Sequence, residues 1–283
     1  MNFQGKHAII TGGSSGIGKA TALLLIKKGA NVSLIARTSQ TLEEAKIELL
    51  KSRVNIEQKI STISADVSNR NKAENAIKKA ISQLGKPHFL ITSAGMAHPG
   101  YFQELSIEIF EQTMEVNYFG SLYCIKTVLP DMLKEKNGHI IVISSGAGLI
   151  GIYGYTPYSP SKFALRGLAE SLRGELKPHN IRVSIVYPPD TDTPQLIAEN
   201  KTKPLETKAI TQTAKTWTAE AVAQTILKGI EKTKFIISPG LEMSILAKLH
   251  SLLFPILNKY FDSIVSKINK SKKGQRARGK GQR

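Results

Sequence analysis

Residues 11–18 read Thr11-Gly12-Gly13-Ser14-Ser15-Gly16-Ile17-Gly18, between an apolar run at His7–Ile10 and an amphipathic stretch at Gly16–Lys28. A strand that turns directly into a helix through spaced glycines has few uses. Glycines at 12, 16 and 18 let the backbone turn tightly, approach a bound group, and pack the helix against the strand. The free N–H groups and the dipole at the new helix N-terminus then favour an anion. The turn predicts a strand–turn–helix opening with a pyrophosphate held over Gly12, Ser14, Ser15, Gly16, Ile17 and Gly18.

The remainder of the chain repeats the alternation. Val32–Ala36, Ile60–Ala65, His88–Thr92, His139–Ser144, Arg182–Tyr187 and Phe235–Ile237 read as strands. Helical patterns lie between them at Thr41–Ser52, Asn69–Leu84, Ser106–Lys136, Ser159–Lys177 and Thr218–Lys232. Repeated β-α units of this length imply an α/β fold: a doubly wound parallel sheet of the Rossmann type, with helices on both faces. At 283 residues the chain suits one such domain, expected over 1–240. Two segments break the pattern. Tyr187–Thr216 is a Pro- and Thr-rich insertion of the kind that covers a site. Met243–Ile268, within an extension over 241–269, carries a helical stripe: Leu246, Leu249, Leu253, Ile256/Leu257, Tyr260/Phe261, Ile264/Val265 and Ile268. Its longest uninterrupted apolar run, Leu252–Leu257, predicts a helix too short in apolar length to span a bilayer.

Charge enters here. The formal net charge is +17, and eight basic residues without an acid lie in 267–283, leaving +9 elsewhere. Residues 270–283 carry no apolar side chain but Ala277 and are expected to be a disordered basic tail. No leader is evident before the first strand. The single cysteine, Cys124, excludes an intramolecular disulfide and points to a reducing, cytoplasmic setting. It reads as a core thiol. The histidines show no metal-ligand spacing, so no metal is expected.

The second strand ends Leu34-Ile35-Ala36-Arg37. An acid there would hold a ribose 2′-hydroxyl; Arg37 instead suits a 2′-phosphate, with Lys19 adding positive charge, so NADPH/NADP+ is the expected cofactor. Asp66-Val67, after the third strand, stand where the adenine would lie, although a helix cap by Asp66 is an equal reading. Tyr158 and Lys162 project from one helix face four residues apart. A free tyrosine titrates near ~10. A neighbouring ammonium, with an oxidised nicotinamide ring, is expected to lower that value so that the phenol exchanges a proton with a carbonyl. Ser145 closes the fifth strand, at the carboxyl edge of the sheet, placed to hold the oxygen as charge develops. Asn117, within a helix, is placed to anchor a water that relays protons to Lys162.

Thr11–Gly18, Asn117, Ser145 and Tyr158-x-x-x-Lys162 together resemble the short-chain dehydrogenase/reductase family over roughly residues 4–240. The resemblance implies an Asn-Ser-Tyr-Lys tetrad, with Tyr158 and Lys162 also touching the cofactor, and adds Ala94, Gly95, Pro188 and Thr191 to its site. The family's Asn-Asn-Ala-Gly is Thr92-Ser93-Ala94-Gly95 here, without the first bracing amide. Its Pro-Gly after strand six is Pro188-Pro189. Within that family, Tyr187–Pro194, Glu199–Thr207, Ala94–Ala97, Ser161–Glu170 and Phe261–Val265 are similar to the 3-ketodihydrosphingosine (3-dehydrosphinganine) reductases. That similarity implies NADPH-dependent reduction of a long-chain keto lipid on the cytosolic face of a membrane, the endoplasmic reticulum in a eukaryote. The alternative is a short-chain reductase of another lipid or small carbonyl. The basic residue expected four after Arg37 is Thr41 here, which weakens the 2′-phosphate site.

Met96, His98 and Tyr101 are candidates for the substrate mouth, Tyr153 and Tyr155 for a pocket wall, and Trp217 for a packing anchor. Two uses suit the Met243–Ile268 helix. It packs on its own domain or a partner subunit of a homo-oligomer, or it lies in an anionic membrane surface with 243–283 as the contact. A nucleic-acid-binding module built on the tail is a reading of a different class. The tetrad and the lack of tail aromatics argue against it, so no nucleic-acid partner is expected.

Overall fold

In the computed structural model the described residues are 2–212 and 215–280, with side chains described through 271. Seven strands form one parallel sheet: β1 (His7–Thr11), β2 (Asn31–Ala36), β3 (Ile60–Ser64), β4 (Pro87–Thr92), β5 (Gly138–Ile143), β6 (Ile181–Val186) and the short edge strand β9 (Ile236–Ile237). The order across the sheet is β3-β2-β1-β4-β5-β6-β9, every neighbour parallel. The chain winds outward from β1 to β3, then returns to start the other half at β4. At that switch point the loops after β1 and β4 diverge and leave a crevice at the carboxyl edge.

Helices cover both faces, as the alternation requires. α1 (Gly16–Lys27), α2 (Ser39–Lys51) and α9 (Ala219–Glu231) bury Leu25, Leu42, Leu49, Val222 and Ile226 against one face. α3 (Arg70–Leu84), α5 (Gly120–Glu135) and α6 (Tyr158–Leu176) bury Ile77, Cys124, Val128, Leu165 and Ala169 against the other. Burial pushes the Cys124 thiol up to about 12, the behaviour of a core thiol. Local signals start the helices where the chain needs them. The Asn69 side chain caps α3 by accepting from Lys72 N, and Thr218 caps α9 by accepting from Ala221 N.

The helical pattern at 106–136 is not one regular helix. α4 (Ile107–Met114) passes through a π turn at Glu115–Phe119 before α5 begins. A π turn widens the helix by one residue, and this one carries Asn117 into the interior, fully buried. The insertion after β6 is structured too. β7 (Thr191–Asp192) pairs with β8 (Trp217–Thr218), clamping the base of a lid made of α7 (Pro194–Thr202) and α8 (Leu205–Thr211).

Two buried histidines give the sheet a pH limit. His7 lies between Gly85 O (2.9 Å) and Ser33 Oγ (2.8 Å), and burial lowers it to about 4. His139, beside Ser184 Oγ at 2.7 Å, is lowered by burial to about 3. Both are neutral in the fold, whereas the unfolded chain takes up protons near ~6.5. Stability is therefore full above that value and drains away as pH falls toward 4. His7 alone accounts for roughly 3 kcal/mol by pH 4. Thermal unfolding followed from pH 7 to 5 is expected to show a steady fall in Tm, flattened in His7→Gln; a flat profile for the wild type contradicts this.

α10 (Gly240–Lys280) departs from expectation twice. It does not stop at 269: residues 270–280, read as disordered, continue the helix, while 281–283 lie outside the described residues. Extending a nucleated helix is cheap, and Lys, Arg and Gln are good helix formers. Its Gly240–Ser271 portion is also long and apolar enough to cross a membrane by length and composition. The longest uninterrupted run was the wrong gauge, because isolated polar residues are tolerated within a span. Its first turns pack on the domain, through Met243, Leu246 and Ala247, with His250 Nε2 2.8 Å from Arg166 Nη1. Beyond them Leu252 (73% exposed), Phe254, Ile256 (67%) and Tyr260 face outward.

Candidate active site

The crevice at the switch point is a cavity of about 570 Å³. Its floor is the glycine turn, and the backbone there tolerates no side chain. Gly12 has φ +65°, and a Cβ would lie 2.8 Å from the backbone of Ser93 and Ala94. Gly16 has φ +52° beside Thr193. At Gly18 a Cβ would strike the carbonyl oxygen of Gly12, so this glycine serves helix–strand packing and does not line the cavity. The other cofactor candidates do line it: Ser14, Ser15 and Ile17 with the first two glycines, Arg37, Asp66 and Val67, Ala94 and Gly95, and Pro188 and Thr191. A glycine cradle at a helix N-terminus fits a pyrophosphate.

Arg37 is exposed at the cavity edge and forms no ion pair among the described residues. Lys19 does not join it: its Nζ lies 2.8 Å from Glu48 Oε2 on α2. Thr41 donates to Thr38 O and stays outside the cavity. Asp66 is not a helix cap, since Asn69 has that place. Its Oδ1 accepts from Ser68 N and Ser68 Oγ, fixing the loop after β3.

The tetrad candidates converge from three elements. Ser145 follows β5, Tyr158 and Lys162 open α6, and all three line the cavity. The phenol faces Ser145 and Gln195 of the lid, and both pull its pKa down. Lys162 Nζ donates to Ile143 O at 3.1 Å and lies 5.5 Å from the centre of the Tyr158 ring. Asn117 does not line the cavity; its side chain is committed elsewhere. Its Nδ2 donates to Met96 O (3.0 Å) and Ser161 Oγ (2.8 Å), and its Oδ1 accepts from Met96 N (2.8 Å). It thus ties the loop after β4 to the first turn of α6. The missing bracing amide at position 92 is replaced from β1, where Thr11 Oγ1 accepts from Ser93 N and Ala94 N, both at 3.2 Å.

The chain's own groups bias the phenol toward its protonated form. Burial pushes the Tyr158 phenol up, and Glu199 pushes it further, while Ser145 and Gln195 pull it back. Desolvation dominates, so the phenol is protonated, as an acid requires. Lys162 itself is lowered to about 8 by burial, against a smaller upward pull from Glu199.

The lid contributes what the strand-and-helix pattern did not signal. Gln195 and Glu199, on α7, line the cavity, as do Met96 and Tyr155. His98, Tyr101 and Tyr153 do not. Tyr101 Oη donates to Glu206 Oε2 (2.9 Å), and its ring meets Tyr153 edge-on at 6.4 Å. Trp217 packs beneath the turn at Gly240, as an anchor. Among the described residues no group of three or more His, Cys, Asp or Glu is arranged to hold a metal ion.

Comparison with known proteins agrees with this geometry. The chain is 44% identical over 257 residues to a 3-dehydrosphinganine reductase of Danio rerio and to a 3-ketodihydrosphingosine reductase of Bos taurus, covering 90% of this chain and 77% of each relative. A 3-ketodihydrosphingosine reductase of Dictyostelium discoideum is 42% identical over 283 residues, covering 95% of this chain and 84% of that one. Among solved structures, levodione reductase superposes with a TM-score of 0.76 at 21% identity, covering 83% of this chain and 96% of that one. A short-chain dehydrogenase/reductase from Burkholderia phymatum in complex with NAD gives 0.78 at 24%, covering 88% and 93%. These two speak for the fold. The model of the short chain dehydrogenase family matches residues 6–204, and with it the glycine turn, the tetrad and the lid's first helix. The chain belongs to the short-chain dehydrogenase family.

Proposed function

We propose that this protein reduces the keto group of 3-ketodihydrosphingosine to dihydrosphingosine at the expense of NADPH. The observation that carries the reading is the meeting of Ser145, Tyr158 and Lys162 with the glycine cradle in one cavity, in a chain so similar to reductases of that name. When bound, the reduced nicotinamide supplies the hydride. The chain's own residues do the rest. Tyr158 gives its hydroxyl proton to the carbonyl oxygen, and Ser145 holds that oxygen as negative charge grows. Lys162, anchored on Ile143 O, opposes the resulting phenolate charge and would hold the nicotinamide ribose of a bound cofactor. Asn117 keeps the loop after β4 in register with α6 through Met96 and Ser161.

Arg37 selects the nucleotide. A guanidinium at the cavity edge pairs with a 2′-phosphate, a charge-assisted contact worth about 1.5–3 kcal/mol. Arg37→Ala is expected to raise KM for NADPH roughly 10- to 100-fold and leave KM for NADH nearly unchanged. Steady-state kinetics with both nucleotides check this, and an equal change for both contradicts it.

The enzyme is held at an anionic membrane surface by α10, whose outward Leu252, Phe254, Ile256 and Tyr260 enter the lipid while the basic residues from 267 onward meet the headgroups. Co-sedimentation with anionic vesicles is expected at low salt, weakened at least about tenfold by deleting 267–283, since each basic residue near the surface contributes about 1 kcal/mol. No binding, or binding indifferent to the deletion, contradicts the attachment.

A further inference from the structure

The lid carries a charge into the cavity that hydride and proton transfer do not use. Glu199, on α7, is 7% exposed and lines the cavity. Tyr155 Oη donates to its Oε2 at 2.6 Å, and Gln195 Nε2 donates to its Oε1 at 3.1 Å. Gln195 also stands beside the Tyr158 phenol and opposes its upward shift, so a single amide separates the carboxylate from the acid that protonates the ketone. Among the described residues no lysine, arginine or histidine forms an ion pair with Glu199. Lys203, between the two lid helices, is spent on Asp190 at 3.6 Å and sits 5.9 Å from the centre of the Tyr155 ring.

A buried carboxylate with no cation in direct contact is costly to the fold, and Lys162, the ammonium that shares the cavity and feels its charge, is bonded to Ile143 O instead. The carboxylate also works against the chemistry, because its charge disfavours a phenolate on Tyr158. A site retains such a group when a ligand brings the opposite charge. The substrate under the proposed function is a long-chain amino alcohol whose amine sits on the carbon next to the ketone. With the carbonyl oxygen on Ser145 and Tyr158, that amine falls within reach of groups one side chain removed from the phenol.

We propose that Glu199, held by Tyr155 and Gln195, receives the protonated amine of the substrate and selects α-amino ketones over plain ketones. This rests on the sphingoid reading above. A charge-assisted hydrogen bond of about 1.5–3 kcal/mol corresponds to roughly 10- to 100-fold in kcat/KM.

The test compares 3-ketodihydrosphingosine with the same chain lacking the nitrogen and with its N-acetyl derivative, using wild type and Glu199→Gln. Wild type is expected to prefer the amino ketone over both analogues by at least about tenfold, and Glu199→Gln to bring that ratio within about twofold. Loss of rate in the variant with the preference intact overturns the proposal, since a structural or proton-relay role lowers all three ketones together. Equal rates on the three ketones in wild type overturn it without any variant. If Glu199→Gln does not fold, inhibition of wild type decides: dihydrosphingosine is expected to compete and its N-acetyl form not to, and equal inhibition overturns the assignment. Turnover of the nitrogen-free ketone with none of the amino ketone would instead reject the substrate reading, and this inference with it.

Discussion

Tyr158→Phe is expected to lower kcat for ketone reduction by at least about 10³-fold while leaving NADPH binding within a fewfold of wild type. The substitution removes one hydroxyl and nothing else. The ring keeps its contacts with Tyr155, 5.5 Å away between centres, and with the Lys162 ammonium. What disappears is the proton donor, along with its contacts with Ser145 and Gln195. General acid catalysis contributes about 10²- to 10⁴-fold, and the oxygen-holding contact of Ser145 loses its partner as well. Single-turnover kinetics with a cofactor titration separate the two effects. A loss smaller than about tenfold would mean that another group supplies the proton.

Lys162→Met is the second large effect, and it cuts in two directions. Activity is expected to fall about 10²- to 10³-fold, because the phenolate left on Tyr158 loses its counter-charge in a buried site. The pH profile sharpens the case. Burial holds Lys162 at about 8, so in wild type kcat/KM is expected to fall above that pH, tenfold per unit once well beyond it. The Tyr158 phenol is pushed well above this window and does not contribute to that limb. The residual activity of the methionine variant should be flat through pH 8. Stability moves the other way. A lysine whose folded value lies below its unfolded value of ~10.5 destabilises the fold below about pH 8 and ceases to do so as pH rises. At pH 7 the variant should therefore be more stable, by about 1–3 kcal/mol after losing the bond to Ile143 O. A variant that is both inactive and less stable would indicate that Lys162 supports the fold and not the reaction.

The glycine turn was legible because its constraint is local. Positive φ at Gly12 and Gly16, and a carbonyl where a Cβ of Gly18 would go, can be met by few other sequences. Tyr158 and Lys162 were legible because helix periodicity puts them on one face, and Ser145 because a residue just after a parallel strand stands at the carboxyl edge. Arg37 reached the cavity for the same reason. Lys19 did not, although it is nearer to the glycines in sequence: the first turn of α1 meets the last turn of α2, and Glu48 captured it. The role of Asn117 depended on a π turn that no hydrophobic pattern betrays.

The insertion was read as a cover, but the side chains it supplies were the largest omission. Gln195 and Glu199 occupy a Pro- and Thr-rich stretch where an acid reads as solvated, and only the β7–β8 clamp folds them over the cavity. Their one signal was the i,i+4 spacing behind Thr193-Pro194, a helix start. For α10 the heptad-like stripe was read correctly, but the apolar residues lie all round the 252–257 stretch. That distribution supports the lipid contact proposed above for α10.

The most direct measurement is NADPH oxidation by the purified protein with synthetic 3-ketodihydrosphingosine, followed by absorbance and by mass analysis of the product. The account predicts one dihydrosphingosine formed per NADPH consumed, and no turnover with Tyr158→Phe. Turnover of other ketones with none of this one would contradict it.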